Sequence, residues 1–186
     1  MDLEFTQRVQ ACVRCALSVT RQRVVVGSGP ANAAVAFVGE APGRSEDEGG
    51  LPFIGRSGRL LFELVAEELE LTREQCYVTN VVKCRPPANR TPTRRELSTC
   101  EPWWIEQRTM LAATVIVTLG NTATHQVLGT DEAISQLRGR PVRLDDTTVV
   151  VPTFHPAAAL RGGPSIVTMM RHDLATVAKL LRGGGQ

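Results

Sequence analysis

Apolar residues in this chain form four short, nearly continuous runs, most of them bounded by glycine or polar residues. Runs of this length that are rich in β-branched residues predict buried β-strands. The predicted strands cover residues 33–40, 76–82, 114–120 and 148–154. Outside the runs, apolar residues recur at every third or fourth position, which predicts amphipathic helices. The predicted helices cover residues 4–18, 57–69, 93–112, 122–128 and 165–183.

Capping and breaking residues mark several helix ends. Thr93 and Glu96 form a capping-box pattern that opens a helix, and Pro102 is expected to kink it. Gly129 is expected to end the helix before it. The chain closes with a glycine-rich tail, residues 183–186, which we expect to be frayed.

Strands that alternate with helices, each strand apolar along its length, predict a parallel sheet with helices on both faces. The expected fold class is therefore α/β, a three-layer α/β/α sandwich around a central four-stranded parallel sheet. No linker is long enough to divide the chain, so residues 1–186 are expected to form a single domain.

Polar residues and glycines follow the predicted strands at the point where each strand ends. In open parallel sheets, ligands bind outside the carboxyl ends of the strands. The four strands deliver Gly39 to Gly43, Asn80, Gly120 with Asn121, and His155 with Pro156. We therefore expect these residues to meet at one edge of the sheet and to form a binding site.

The composition excludes a disordered or membrane-spanning protein and does not change the predicted fold. Apolar residues make up 42% of the chain and charged residues 22%, which excludes global disorder. No apolar run is long enough for a membrane span, so we expect a soluble, cytoplasmic protein. The net charge of +2 does not by itself indicate a nucleic-acid partner. Nineteen of the 21 basic residues are arginine, which suits phosphate contacts but is also typical of a GC-rich genome.

The five cysteines suggest a metal centre. Cys12 and Cys15 form a CxxC pair, and Cys84 and Cys100 follow singly, whereas Cys76 lies in an apolar run and is expected in the core. Four thiolates in this arrangement suit zinc or an iron–sulfur cluster, and spacing alone does not choose between them. Four merely buried cysteines are the alternative, and a disulfide framework is not expected in a chain of this kind.

Two loops carry charge beside the expected site. The loop over residues 39–55 contains Glu46, Asp47 and an aromatic residue, Phe53, but matches neither a Walker loop nor a dinucleotide fingerprint. A ring beside a polar edge suits stacking on a planar ligand, although it also suits a core position. The segment over residues 83–95 has five basic residues and no acid. It is either a phosphate contact or an ordinary solvated surface.

Several motifs occur in an order that resembles one known family. They read GEAPG, GLPFIGRSG, TNVVKCRPPANRTP, TLGNTA and FHPAAALR, and they run with the four cysteines from about Cys12 to Asp173. This combination resembles the family 4 (iron–sulfur) uracil-DNA glycosylases. The resemblance implies an α/β/α sandwich, a 4Fe-4S cluster, and hydrolysis of deoxyuridine in DNA to free uracil and an abasic site. Its implied cluster ligands are Cys12, Cys15, Cys84 and Cys100.

The resemblance also implies roles for individual residues. Phe53 would stack on a flipped-out uracil, Asn80 would read the edge carrying N3–H and O4, and His155 would hydrogen-bond O2. The implied substrate-binding residues are Gly39, Glu40, Ala41, Phe53, Asn80 and His155. The implied DNA contacts are Arg85, Asn89, Arg90 and Arg161.

The first motif departs from that of family 1 enzymes. Ala41 stands where family 1 has an aspartate that positions water, so we expect Glu46 or Asp47 to direct the water, with Glu46 preferred. Together with His155 they are the expected catalytic residues. Gly43 stands where family 1 has an aromatic residue that excludes thymine, so thymine must be excluded by other residues.

Two alternatives compete with this interpretation. One is the covalent, uracil-DNA cross-linking branch of the superfamily, but the CRPPANRTP segment lacks the nucleophilic histidine loop of that branch. The other is a non-catalytic iron–sulfur protein that binds DNA or transfers electrons. We expect uracil-containing DNA as the partner, activity at the nucleoid, and a monomer. Whether a sliding clamp is a partner stays open.

Overall fold

Within residues 2–183, the central sheet of the computed structural model has five strands in the order β2-β1-β3-β5-β4. The strands are β1 (Val35–Gly39), β2 (Tyr77–Asn80), β3 (Val115–Leu119), β4 (Val142–Arg143) and β5 (Val149–Thr153). The pairs β1–β2, β1–β3 and β3–β5 are parallel, whereas β4 pairs with β5 in the antiparallel sense. The four predicted parallel strands are confirmed. The two-residue edge strand β4 was missed because it is too short to show a period.

The structure describes residues 2–183, so most of the predicted glycine-rich tail lies outside the described residues. Helices connect the strands and flank the sheet. They are α1 (Leu3–Gln10), α2 (Leu17–Thr20), α3 (Arg44–Gly49), α4 (Arg56–Leu69), α5 (Arg94–Thr109), α6 (Asn121–Leu128), α7 (Ile134–Leu137), α8 (Pro156–Gly162) and α9 (Pro164–Gly183). Two short 3-10 turns lie at Arg73–Gln75 and Pro87–Asn89.

Apolar side chains fill the space on both faces of the sheet. Along β1, Ala36 and Val38 belong to one apolar cluster, and Val35 and Phe37 belong to the other. This alternation follows from the two-residue period of a strand. The first cluster contains the α5 residues Trp103 and Trp104, and the second contains Leu61 and Leu64 of α4 with Leu174 and Val177 of α9. The predicted three-layer arrangement is therefore confirmed, while the extent of a single domain over residues 1–186 stays a prediction.

Local rules predicted several helix ends correctly. Thr93 Oγ1 accepts a hydrogen bond from Glu96 N, and Glu96 Oε2 accepts one from Thr93 N, which is the expected capping box. Gly129 follows α6 with a φ of 64°, in the left-handed region that favours glycine. Helix α5 continues through Pro102.

The predicted helix over residues 4–18 is wrong. Helix α1 ends at Gln10, α2 begins at Leu17, and the CxxC pair lies between them. No glycine or proline marks this break in the sequence. It coincides with both cysteines lining a cavity shared with residues far along the chain. Among residues 2–183, no helix combines the length and the apolar character that a membrane crossing requires.

Candidate active site and cysteine cavity

The carboxyl ends of the strands bring Gly39, Phe53, Asn80 and His155 together, as the sequence predicted. Gly39 pairs with Asn80 across β1 and β2. A Cβ atom on Gly39 would collide with Asn80 Oδ1 and would lie 2.5 Å from Phe53 Cζ. The rings of Phe53 and His155 have centroids 5.9 Å apart, at an interplanar angle of 33°. The amide of Asn80, the ring of Phe53 and the imidazole of His155 therefore lie in one group at this edge of the sheet, and we call the place where they meet the rim slot.

Asn80 carries an unsatisfied polar atom into the rim slot. Its side chain is buried, and Oδ1 has no hydrogen-bond partner among the described residues. A buried acceptor without a partner costs about 1–3 kcal/mol. A ligand with an N–H group at this position would remove that cost, so the rim slot favours a planar ligand that donates to Asn80.

Phe53 has a strained main chain that other residues hold in place. Its φ is 53°, a left-handed conformation that is uncommon for an aromatic residue. Arg73 Nη1 donates to Phe53 O at 2.9 Å, and Arg73 Nη2 donates to Pro52 O. Gly58 packs so closely on the Phe53 main chain that a Cβ would overlap it. Arg73 and Gly58 were not predicted, because no local motif connects them to Phe53.

His155 presents a neutral ring to the rim slot. It is the N-cap of α8, and its Nδ1 accepts a hydrogen bond from Ala157 N at 3.1 Å. Nε2 therefore carries the proton of the neutral ring. Burial lowers the pKa of His155 from 6.5 to about 4, and the nearby charge of Arg161 adds to this effect. The ring is a neutral N–H donor at physiological pH.

The two predicted catalytic carboxylates bond to main-chain groups. Glu46 accepts from Gly43 N at 3.1 Å and from Gly55 N at 2.8 Å, so it closes the loop that carries Phe53. Asp47 is buried and accepts from Gln22 N and Arg23 N at 2.9 and 3.3 Å. Both carboxylates fix the loop after β1, and a role for either in directing water stays a prediction.

The segment after β1 adds a third carboxylate to the same edge of the sheet. Glu40 is partly exposed, and its side chain accepts a hydrogen bond from the Thr122 hydroxyl at the start of α6. Its main-chain carbonyl accepts from Val82 N at 3.0 Å. Ala41 follows directly and packs against the apolar cluster of α5. Glu40 and Ala41 thus lie beside the rim slot, where the sequence predicted them.

The predicted DNA contacts differ in how freely they can bind phosphate. Arg90 makes two bonds to the buried Glu96, at 2.7 and 2.8 Å. Arg85 Nε donates to Asn89 Oδ1 at 2.6 Å, and Asn89 has a φ of 55°. Arg161 on α8 is exposed and, within residues 2–183, has no side-chain hydrogen bond or ion pair. Arg161 is therefore the most available of the four.

Four of the five cysteines line one cavity next to α5. They are Cys12, Cys15, Cys84 and Cys100. Cys76 is buried in the other apolar cluster, as predicted. No three side chains of His, Cys, Asp or Glu in residues 2–183 are placed to ligate a single metal ion. A polynuclear cluster differs in this respect, because each of its cysteines binds a different iron.

Polar groups around this cavity donate to the sulfur atoms. Arg21 Nη1 donates to Cys84 Sγ, the main-chain N of Lys83 donates to Cys100 Sγ, and Trp103 Nε1 donates to Cys12 Sγ, each at 3.3 Å. Such N–H···S bonds stabilise thiolates and are one of the ways a protein tunes an iron–sulfur centre. Three of the four sulfur atoms, those of Cys12, Cys84 and Cys100, therefore have donors that suit a thiolate ligand.

Comparison with known proteins identifies the family. The sequence profile of the Uracil DNA glycosylase superfamily matches residues 26–175. A type-4 uracil-DNA glycosylase of Thermotoga maritima is 45% identical over 157 residues, which cover 84% of this chain and 81% of that protein. The chain belongs to the type-4 branch of this superfamily. Type-4 uracil-DNA glycosylases of Sulfurisphaera tokodaii and Pyrobaculum aerophilum are each 38% identical, covering 95% and 100% of this chain and 83% and 95% of those proteins.

The superfamily profile covers less of the chain than the match to a type-4 relative does. The superfamily profile includes the rim slot, from Gly39 to His155, but begins after Cys12 and Cys15. The match to the Pyrobaculum type-4 relative spans the whole chain and therefore includes all four cavity cysteines. Membership of the type-4 branch, which the motifs predicted, is confirmed.

Proposed function

We propose that this chain hydrolyses the N-glycosidic bond of deoxyuridine in DNA, releasing uracil and leaving an abasic site. The observation that carries the proposal is the rim slot, where the unsatisfied Asn80 Oδ1, the Phe53 ring and the neutral His155 meet. The names of the type-4 relatives support the same activity. The base must leave the helix to reach this slot, and unpairing costs least at a mismatch.

Asn80 and Phe53 account for recognition of the base. Asn80 Oδ1 accepts from uracil N3–H, and its amide nitrogen donates to O4. Cytosine has an acceptor at N3 and an amino group at the 4-position, so both pairs would fail. Each buried polar group left unpaired costs about 1–3 kcal/mol, which favours uracil by roughly tenfold to a hundredfold per group. The Phe53 ring stacks on the flat face of the base.

His155 stabilises the leaving group. As the C1′–N1 bond breaks, the electron pair moves into the uracil ring and negative charge grows on O2. The neutral Nε2–H of His155 donates to that oxygen, and a preorganised donor of this kind typically contributes a few kcal/mol. Water then bonds to C1′ of the oxocarbenium-like sugar and loses one proton, and the uracil anion takes up one proton. A carboxylate near the sugar would orient the water, and Glu46 stays the preferred candidate over Asp47.

The four cavity cysteines would hold a 4Fe-4S cluster. Its contribution is structural, since four thiolate bonds would tie the α1–α2 connection to the segment after β2 and to α5. The donors to the sulfur atoms support this assignment. The phosphate backbone would meet Arg161 and the segment containing Arg85, Asn89 and Arg90. The monomeric state and the cytoplasmic, nucleoid-associated location stay predictions.

A single-turnover excision assay tests the proposal, using a uracil-containing oligonucleotide and the folded, cluster-bearing protein. Asn80→Ala and His155→Ala should each lower the rate at least about tenfold. His125→Ala is a matched control, because the ring of His125 is hydrogen-bonded to Glu132 O, and this variant should excise normally. Near-normal rates in both slot variants would contradict the proposed site. An absence of excision by the unmodified protein would favour a non-catalytic DNA-binding or electron-transfer protein, and SDS-stable protein–DNA adducts would favour the cross-linking branch.

A further inference from the structure

Lys83 is a lysine buried beneath the rim slot that no step above uses. It is 1% exposed, and its Nζ donates to Asn80 O at 2.7 Å, Thr79 Oγ1 at 2.8 Å and Gln107 Oε1 at 2.5 Å. An ammonium group has three donors, so all of them are used. All three partners are neutral oxygens, and among residues 2–183 Lys83 has no carboxylate partner. Such a costly burial needs a reason other than an ion pair.

The partners of Lys83 form one buried network. Thr79 Oγ1 also contacts Val26 O at 2.9 Å, and Gln107 Nε2 donates to Val26 O at 2.8 Å and to Tyr77 OH at 3.0 Å. Side chains of adjacent strand residues point to opposite faces of the sheet. Thr79 therefore faces the network while the next residue, Asn80, faces the rim slot. Lys83 reaches Asn80 from behind, through its main-chain carbonyl.

The same residue borders the cysteine cavity. The main-chain N of Lys83 donates to Cys100 Sγ at 3.3 Å, and Cys84 is the next residue in the chain. The segment from Asn80 to Cys84 thus has one end in the rim slot and the other in the cavity. Lys83 contacts both sites, the rim slot through the bond of its side chain to Asn80 O and the cysteine cavity through the bond of its main-chain N to Cys100 Sγ.

We propose that Lys83 is a positioning residue for base recognition, fixing the Asn80 peptide so that the Asn80 amide meets the base edge in the correct orientation. The proposal rests on the proposed function, because it assigns Asn80 to the base. Binding groups must be held to within about 0.5 Å and 10–20° of the productive geometry. The bond from the buried Lys83 Nζ to Asn80 O, at 2.7 Å, holds the peptide at the end of β2 in place and so meets that need.

Lys83→Met tests this role, since it keeps most of the aliphatic stem and removes all three donors. In single-turnover assays at saturating enzyme, the excision rate should fall about tenfold, while DNA affinity changes less than about twofold. Iron and sulfide content per chain should be unchanged, because the main-chain bond to Cys100 remains. Tyr77→Phe is the matched control: it alters the far end of the same network without touching Lys83, and it should excise normally.

A double-mutant cycle separates positioning from a general structural effect. In an Asn80→Ala background, Lys83→Met should lower the rate by less than about twofold, because the group that it positions is gone. In a His155→Ala background, it should still cost about tenfold. Equal losses in both backgrounds, or loss of iron from Lys83→Met, would overturn the role of Lys83. A normal rate for Asn80→Ala alone would instead contradict the proposed function.

Thr79→Val provides a second route if Lys83→Met does not fold. It removes one acceptor of the Lys83 ammonium group and keeps the shape of the side chain. We expect a loss of about threefold in otherwise unmodified protein and no further loss in the Asn80→Ala background. A loss of the same size in both settings would reject the proposal.

Discussion

Gly39 lies directly opposite Asn80 in the pairing of β1 with β2, and the space beside its Cα is filled by the Asn80 amide and the Phe53 ring. Gly39→Ala should therefore displace both groups and lower uracil excision at least about tenfold. The measurement is single-turnover excision together with thermal unfolding of the purified protein. Gly183→Ala is a matched control, since nothing lies within 4 Å of its added Cβ. Normal excision by Gly39→Ala would contradict this prediction, because it would show that the Asn80 amide and the Phe53 ring tolerate an added methyl group.

The low pKa of His155 predicts that the excision rate falls at a lower pH than an ordinary histidine would give. Because the pKa of the folded ring is about 4, the neutral donor persists well below the ordinary value of 6.5. Protonation would place a second N–H at Nδ1, facing Ala157 N–H, and would break the cap of α8. The single-turnover rate should thus lose its His155-dependent part only near pH 4. A limb centred near 6.5 that disappears in His155→Gln would contradict this prediction.

The same depressed pKa predicts how stability depends on pH. Between about 4 and 6.5 the unfolded state binds more protons at this position than the folded state. The contribution of His155 to the free energy of unfolding is therefore full above 6.5 and is lost as the pH falls toward 4. Urea unfolding of wild type and His155→Gln at about pH 7 and about pH 5 measures this. The wild type should lose more stability than the variant on acidification, and equal losses would argue against a depressed pKa.

Some parts of this site could be predicted from the sequence and others could not. The difference is the separation along the chain of the residues that interact. Asn80 and His155 could be found because apolar runs mark strands and parallel strands share their carboxyl edge. The break between α1 and α2 could not, since the cavity that holds Cys12 and Cys15 is completed by residues about seventy positions away. Helix α3 was not predicted, because it lies in a segment rich in glycine and acidic residues and has no apolar period. At its start, Glu46 accepts a hydrogen bond from Gly43 N.

Contacts between residues far apart in the chain were unpredictable for the same reason. The support of Phe53 by Arg73 spans twenty positions, and no motif announces it. The basic segment over residues 83–95 shows the opposite error. From the sequence alone, Arg90 was predicted to be a positive charge available to phosphate. In the structure, Arg90 is paired with Glu96 six positions later. The number of basic residues predicts a positively charged surface. Which of these charges can bind phosphate depends on the ion pairs that they form in the folded protein.

Arg73 should matter to excision because it supports the strained Phe53. Arg73→Met removes the bonds to Phe53 O and Pro52 O, and a left-handed aromatic residue stores about 1–3 kcal/mol of strain. We expect the excision rate to fall by about threefold to tenfold, with little further loss in a Phe53→Ala background. Arg143→Met, the same change beside the amino end of β5, is the control. A rate unaffected by Arg73→Met would mean that Gly58 and the loop hold Phe53 without it.

The cysteines offer an internal comparison for the cluster. Cys84 lines the cavity, whereas Cys76 is buried in the other apolar layer with its Sγ against Thr72 O. Cys84→Ala should lose most of its iron and sulfide, while Cys76→Ala should keep about four of each per chain. Metal and sulfide analysis of the purified proteins measures this directly. Full iron content in Cys84→Ala would exclude Cys84 as a ligand.

Arg161 and Arg90 should separate DNA binding from folding. Arg161 is exposed and free of side-chain partners within residues 2–183, so Arg161→Gln should weaken binding of any DNA sequence and lower the salt slope of log K by about 0.9. Arg90→Gln leaves the buried Glu96 without its cation and should lower the free energy of unfolding, by an amount that solvent screening at the exposed Arg90 keeps small. DNA titrations at several salt concentrations and urea unfolding measure the two effects. If Arg90→Gln instead lowered the salt slope of log K by about 0.9 and left the stability unchanged, the Arg90–Glu96 ion pair would have to open when DNA binds.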